Sequence, residues 1–228
     1  MYESTKTKQV RQKDFDLKFL NGAVLDIGAG DDLVCPWAVC FDKTDGDAND
    51  MSTFFIPESF DTVHSSHALE HMTDPVYSLK TWWRLVKPGG YLVLVVPDEQ
   101  LYEQDIWPSA FNSDHKASFR FTGIIDRSDS YNLKDLCSQL PYGSIVSYVR
   151  QDCGLRYSLL FQGSSKSAKR VNRLSQWIGR NMNSHGWIVE WALVFFGKML
   201  VRYGYPIDQT LGGALAQIEI ILQKKLPI

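Results

Sequence analysis

VLDIGAG, residues 24–30, is the stretch on which the fold turns. Ala23–Ile27 is a short apolar run bounded by glycine, the pattern of a buried strand that ends in a turn. Glycines at 28 and 30 allow a tight turn and let the backbone approach a ligand at the strand's carboxyl end. The dinucleotide pattern GxGxxG is not completed, because Leu33 stands at its third glycine position. That counts against a nicotinamide or flavin enzyme. An ordinary strand-to-helix turn is the plain alternative.

Working outward, Trp37–Phe41 reads as a second strand that ends in Asp42, and Phe60–Val63 as a third that runs into His64-Ser-Ser-His67. Asp74-Pro75 offers an N-cap followed by proline at the first helical position. Val76, Leu79, Trp83 and Val86 then recur on one face of a helix that Lys87-Pro-Gly-Gly90 stops. Tyr91–Val96 is a continuous apolar run, as expected of a strand covered on both faces. Ser144–Val149 and Gln217–Leu222 read as further strands. Alternating strands and helices predict an α/β fold around a mainly parallel sheet. The first two crossovers, 30–37 and 42–47, are too short for the usual helices.

The 228 residues are 44 % hydrophobic and 22 % charged, with a net charge of −2, which excludes disorder, collagen and coiled coil as whole-chain readings. Nothing in that balance points to nucleic acid. Cys35, Cys40, Cys137 and Cys153 show no CxxC spacing, so no zinc site or other metal is expected, and a disulfide framework is not either. The polar N-terminus reads as cytoplasmic, without the apolar core of a signal peptide.

Four segments together, VLDIGAG (24–30), Gly46-Asp-Ala48, FDTVHSSHALEHMTDP (60–75) and LVKPGGYLVLVVP (85–97), resemble the class I S-adenosylmethionine (SAM)-dependent methyltransferases of the small-molecule type. The resemblance implies a Rossmann-like seven-stranded sheet, methyl transfer, and SAM as cofactor with S-adenosylhomocysteine as product. By position it implies that Asp26, Gly28, Ala29 and Gly30 face the methionine end and ribose, and that Asp42 binds the ribose diol. It puts Asp47 and Ala48 beside the adenine, and Ser65, Ser66 and His67 along the cofactor. Ser65-Ser66 as a simple cap of a helix at 68–72 is the structural alternative. The compressed form, and the stretch 97–119, resemble methyltransferases of bacterial surface-polysaccharide gene clusters.

A sugar hydroxyl must lose its proton to attack the methyl group, which calls for a general base. Asp98, Tyr102, Glu103, Trp107, Asp114 and His115 follow the strand that ends at Val96. The reading takes His115 as base, oriented by Asp114 or Asp98, with His67 as the competing base and Tyr102 and Trp107 as stacking surfaces for a sugar ring. Carbon or nitrogen methylation fits the cofactor half equally well, and a catalytically silent partner of the same fold is a further alternative.

The whole chain is expected to form one domain, residues 1–228, with 163–208 as a helical insertion, first basic and then apolar. Ile188, Ala192, Phe195 and Met199 share one face of its second half. Packing on the sheet, a lid or a homodimer contact is the preferred reading. Peripheral contact of 187–202 with the inner face of the membrane is the other.

Overall fold

The computed structural model describes residues 3–123, 126–183 and 187–226. Two compact units are distinguished: unit 1 holds Met1–Val96, Lys116–Arg150 and Ile218–Ile228, and unit 2 holds Pro97–His115 and Gln151–Gln217.

Unit 1 carries the expected α/β architecture. Helices α1 (Glu3–Lys8) and α2 (Phe15–Phe19) precede strands β1 (Val24–Ile27), β2 (Val39–Phe41) and β3 (Phe60–Ser66). Helix α3 (Pro75–Leu85) leads into β4 (Val86–Pro97). Short strands β5 (Ser118–Arg120) and β6 (Ser130–Asn132), helix α4 (Leu133–Ser138), β7 (Gly143–Gln151) and β8 (Gln217–Lys224) complete the set. The central sheet has six strands in the order β2-β1-β3-β4-β8-β7, and β5 and β6 pair separately. The pairs β1–β2, β1–β3 and β3–β4 are parallel. All six strands read from the sequence are therefore found in one sheet.

No helix separates β1 from β2, and only a turn of 3-10 helix, Met51–Thr53, interrupts the path from β2 to β3. The compressed crossovers are thus present as expected. Helix α3 begins as its sequence dictates: the Asp74 carboxylate accepts the Tyr77 N–H at 2.9 Å, and Pro75 occupies the first turn. Its inner face buries Leu79, Trp82 and Trp83. Each such side chain contributes about 1.5–3 kcal/mol when taken from water. Both indoles also meet a carbonyl, Trp82 Nε1 that of Ala48 at 2.8 Å and Trp83 Nε1 that of Pro141 at 3.0 Å. The strand after α3 starts earlier than expected, at Val86, because Lys87-Pro-Gly-Gly90 bulges within the sheet. A β-carbon at Gly90 would lie 2.6 Å from the Asp61 carbonyl oxygen, so the bulge admits only glycine there.

Unit 2 contains helices α5 (Arg173–Asn181) and α6 (Trp187–Arg202). Leu159, Ile178, Met182, Leu193, Leu200 and Ile207 form its own core. The two segments of unit 2 are stitched by Gln104, which donates to the Ile207 carbonyl and accepts from the Phe161 N–H, and by Ser165, which bonds both backbone groups of Trp107.

Candidate functional site

In unit 1 the parallel register sets Asp26 beside His64, and Ile27 beside both Ser65 and Phe41. The residues that follow β1, β2 and β3 therefore emerge at one carboxyl edge of the sheet, where open α/β sheets bind ligands. The Gly28 N–H donates to the Phe41 carbonyl at 2.8 Å, which draws the glycine turn against the end of β2. Gly28 has φ +77°, and a β-carbon there would lie 2.6 Å from Ala68 Cβ. Gly30 has φ +53°, and a β-carbon there would lie 3.5 Å from Asp42 Oδ2. Asp42 is half-buried, with Oδ1 held by the Lys43 N–H, while Ala29 and Gly30 are accessible.

Asp47 is exposed, and its Oδ1 accepts from both the backbone and the side chain of Asn49, which lower its pKa. Ala48, half-buried, is pinned through its carbonyl by Trp82. Ser65 Oγ donates to the Ile27 carbonyl at 3.0 Å. The helical turn after it, Leu69–His71, is capped by Ala68 with no side-chain hydrogen bond, so the serines do not act as its cap. Ser66 is buried, and its Oγ has no hydrogen-bond partner among the described residues. His67 has φ +54°, uncommon for a non-glycine residue. Its N–H donates to the Val95 carbonyl, and its ring lies 3.8 Å from the Glu3 carboxylate and 3.7 Å from that of Glu70.

Asp26 has a different environment from the one the sequence implies. It is 1 % exposed, and both its oxygens are engaged, Oδ2 by the Val34 N–H at 2.7 Å and Oδ1 by His64 Nδ1 at 2.6 Å. It holds the turn rather than facing a ligand. Arg11 stands behind it, 3.2 Å from His64 Nε2 and 2.7 Å from Glu219 Oε2. Arginine only donates, so His64 accepts at Nε2 and donates from Nδ1.

In unit 2, His115 is buried, with Nδ1 2.6 Å from Glu103 Oε1 and the Tyr102 ring centred 5.6 Å away. Glu103 is thus the carboxylate that orients it. The two acids expected in that role are placed otherwise. Asp114 is exposed, and Asp98 is fully buried, where its Oδ1 accepts from Gln100 and Leu101 N–H groups. Tyr102 and Trp107 are half-buried, and Tyr102 meets Phe111 edge to face. Glu103 was within the segment read from the sequence, but its separation from His115 follows no local spacing rule.

Residues 7–94 match the family model described as a methyltransferase domain. The match covers 88 of the 228 residues, and SAM is the cofactor that such a domain implies. The unit 1 edge fits that cofactor on two structural grounds: the left-handed turn at Gly28 and Gly30, and the buried Ser66 hydroxyl, which has no hydrogen-bond partner among the described residues. Among curated proteins, a highly reducing polyketide synthase of Emericella nidulans is 42 % identical over 55 residues, 24 % of this chain and 2 % of that protein. Among solved structures, a SAM-dependent methyltransferase from Archaeoglobus fulgidus aligns with TM-score 0.44 and 16 % identity over 96 % of this chain and 93 % of that one. The YcgJ protein from Bacillus subtilis gives 0.48 and 14 % over 90 % and 92 %, and the cyclase SpnF gives 0.49 and 14 % over 98 % and 81 %.

The glycine turn yields a direct expectation. Gly28→Val should weaken SAM binding about 5–30-fold or more, since left-handed φ costs a side chain roughly 1–2 kcal/mol and the added atoms collide with Ala68. Titration calorimetry on a variant whose circular dichroism matches the parent checks it. Unchanged affinity would remove the turn from the cofactor site.

Proposed function

We propose that this chain is a SAM-dependent O-methyltransferase whose acceptor is a hydroxyl of a sugar, a sugar nucleotide or a lipid-linked glycan. The observation that carries this reading is the buried His115–Glu103 pair. A neutral hydroxyl is a weak nucleophile, and a carboxylate hydrogen-bonded to Nδ1 orients an imidazole and stabilises the imidazolium that proton removal would form. Sulfonium activation of the methyl group is what SAM supplies when bound. As the acceptor oxygen received the methyl group, His115 would take the hydroxyl proton, and Gly28, Ala29, Gly30 and Asp42 would hold the cofactor.

In unit 1 the assigned roles are contact by Gly28, Ala29 and Gly30, diol binding by Asp42, adenine contact by Asp47 and Ala48, and a hydroxyl donor at Ser66. Asp26, Ser65 and His67 shape the edge. The likeness of 97–119 to surface-polysaccharide methyltransferases supports a sugar acceptor. Both units are read as parts of one catalytic domain.

Calorimetry with SAM, S-adenosylhomocysteine and NAD, followed by a methyl-transfer assay on sugar nucleotides, tests this reading. Micromolar binding of SAM and its product, no binding of NAD, and labelled sugar product are expected. SAM binding without transfer to any acceptor would point to a silent partner protein, and transfer to carbon or nitrogen would correct the acceptor. Absence of SAM binding would overturn the reading.

A further inference from the structure

For the stripe Ile188, Ala192, Phe195 and Met199, packing on the sheet, a lid or a homodimer contact was the preferred expectation. Helix α6 turns a different side to its own core, through Leu193 and Leu200, and leaves its outer side apolar. The Trp187 and Ile188 side chains lie outside the described residues. Trp191 is 69 % exposed, Phe195 56 %, Phe196 50 %, Met199 43 % and Tyr203, just past the helix end, 64 %. Trp191 and Phe195 stack on each other at 5.9 Å, and Phe195 meets Phe196 edge to face. Single exposed apolar residues need no explanation, but a continuous aromatic face marks a contact surface.

Charge identifies the partner. Residues 163–208 carry seven Lys and Arg and two acidic residues, Glu190 and Asp208. Glu190 is paired with Arg156, and the Asp208 side chain accepts from the Thr210 N–H. Lys198 and Arg202 follow Trp191 and Phe195 at helical spacing, so the cations stand on the same stripe as the aromatic rings. They also line a cavity of about 570 Å³ with Ser158, Ser167 and Tyr203, which is roomy enough for a phosphate headgroup. No helix among the described residues is long and apolar enough to cross a membrane.

We propose that the outer face of α6 is a docking surface for an anionic lipid layer. Trp191, Phe195 and Met199 enter the boundary between headgroups and acyl chains, and Lys198 and Arg202 meet the lipid phosphates. The helix lies on the surface and does not span it.

Co-sedimentation of the full chain with phosphatidylcholine vesicles, with and without phosphatidylglycerol, tests the proposal. Binding is expected to the anionic vesicles alone and should fall with added salt. The triple variant Trp191→Ser, Phe195→Ser, Met199→Ser and the double variant Lys198→Glu, Arg202→Glu should each reduce binding at least about tenfold. Their melting temperatures should match the parent, because these side chains are exposed. Failure of the parent chain to bind anionic vesicles at low salt, or full binding by the triple variant, would overturn the proposal. So would a dimer in sedimentation velocity that the triple variant dissolves while vesicles bind neither protein, which would assign the face to a second copy.

Discussion

Replacing His115 with Ala is expected to lower methyl transfer about 10²–10⁴-fold, the usual contribution of a positioned general base, while the SAM dissociation constant stays unchanged. The split follows from the proposed roles: cofactor contacts are assigned to the glycine turn and to the ends of β2 and β3, and proton removal to His115. Glu103→Gln keeps the volume of the orienting group and removes its charge. That charge stabilises the imidazolium formed on proton transfer, so Glu103→Gln should cost roughly tenfold or more in kcat with little change in KM. Asp114→Ala should be close to neutral, because Asp114 is exposed and its N–H is bonded to Asn112. The assay is initial-rate methyl transfer, with circular dichroism confirming that the buried histidine site still folds. Near-parental turnover by a folded His115→Ala protein would remove it from the mechanism and return attention to His67.

The six strands of the central sheet were legible because each contains a short run rich in apolar and β-branched residues, three of them closed by Gly28, Asp42 and Pro97. The start of α3 was legible because capping chemistry is local. Strands β5 and β6 were missed: three residues each are too few for alternation to register. The orientation of α6 was left open for a different reason. Its sequence is apolar around most of its circumference, so spacing names several stripes and cannot say which one finds a core. In the site, the glycine turn, Asp26 near the end of β1 and Asp42 just after β2 were readable from adjacency to strand ends. The partners that hold Asp26 and His115 were not. Arg11 meets Glu219 across 208 positions of sequence, and only the fold brings them together.

That long-range contact makes the N-terminal segment more than the polar lead-in its composition describes. The Arg11 side chain is 3 % exposed and that of Glu219 5 %. Removing one partner of a buried pair leaves the other charge uncompensated and costs about 3–5 kcal/mol. Arg11→Met should therefore lower the melting temperature by roughly 6–20 °C for a chain of this size. Arg11→Met with Glu219→Leu removes both charges and should recover much of the loss, since a buried ion pair replaced by apolar groups of similar volume is often near neutral. The chain of bonds runs on from Arg11 through His64 to Asp26, which fixes the backbone at Val34 just beyond the glycine turn. Arg11→Met should accordingly weaken SAM binding as well, although Arg11 is assigned no contact with it, and His64→Ala should do the same. Differential scanning calorimetry and titration calorimetry on the three proteins separate the two effects. If Arg11→Met melts within about 2 °C of the parent, less than a single kcal/mol would produce, the pair does not hold unit 1 together. If it melts early yet binds SAM as tightly as the parent, the relay ends at stability and does not reach the turn.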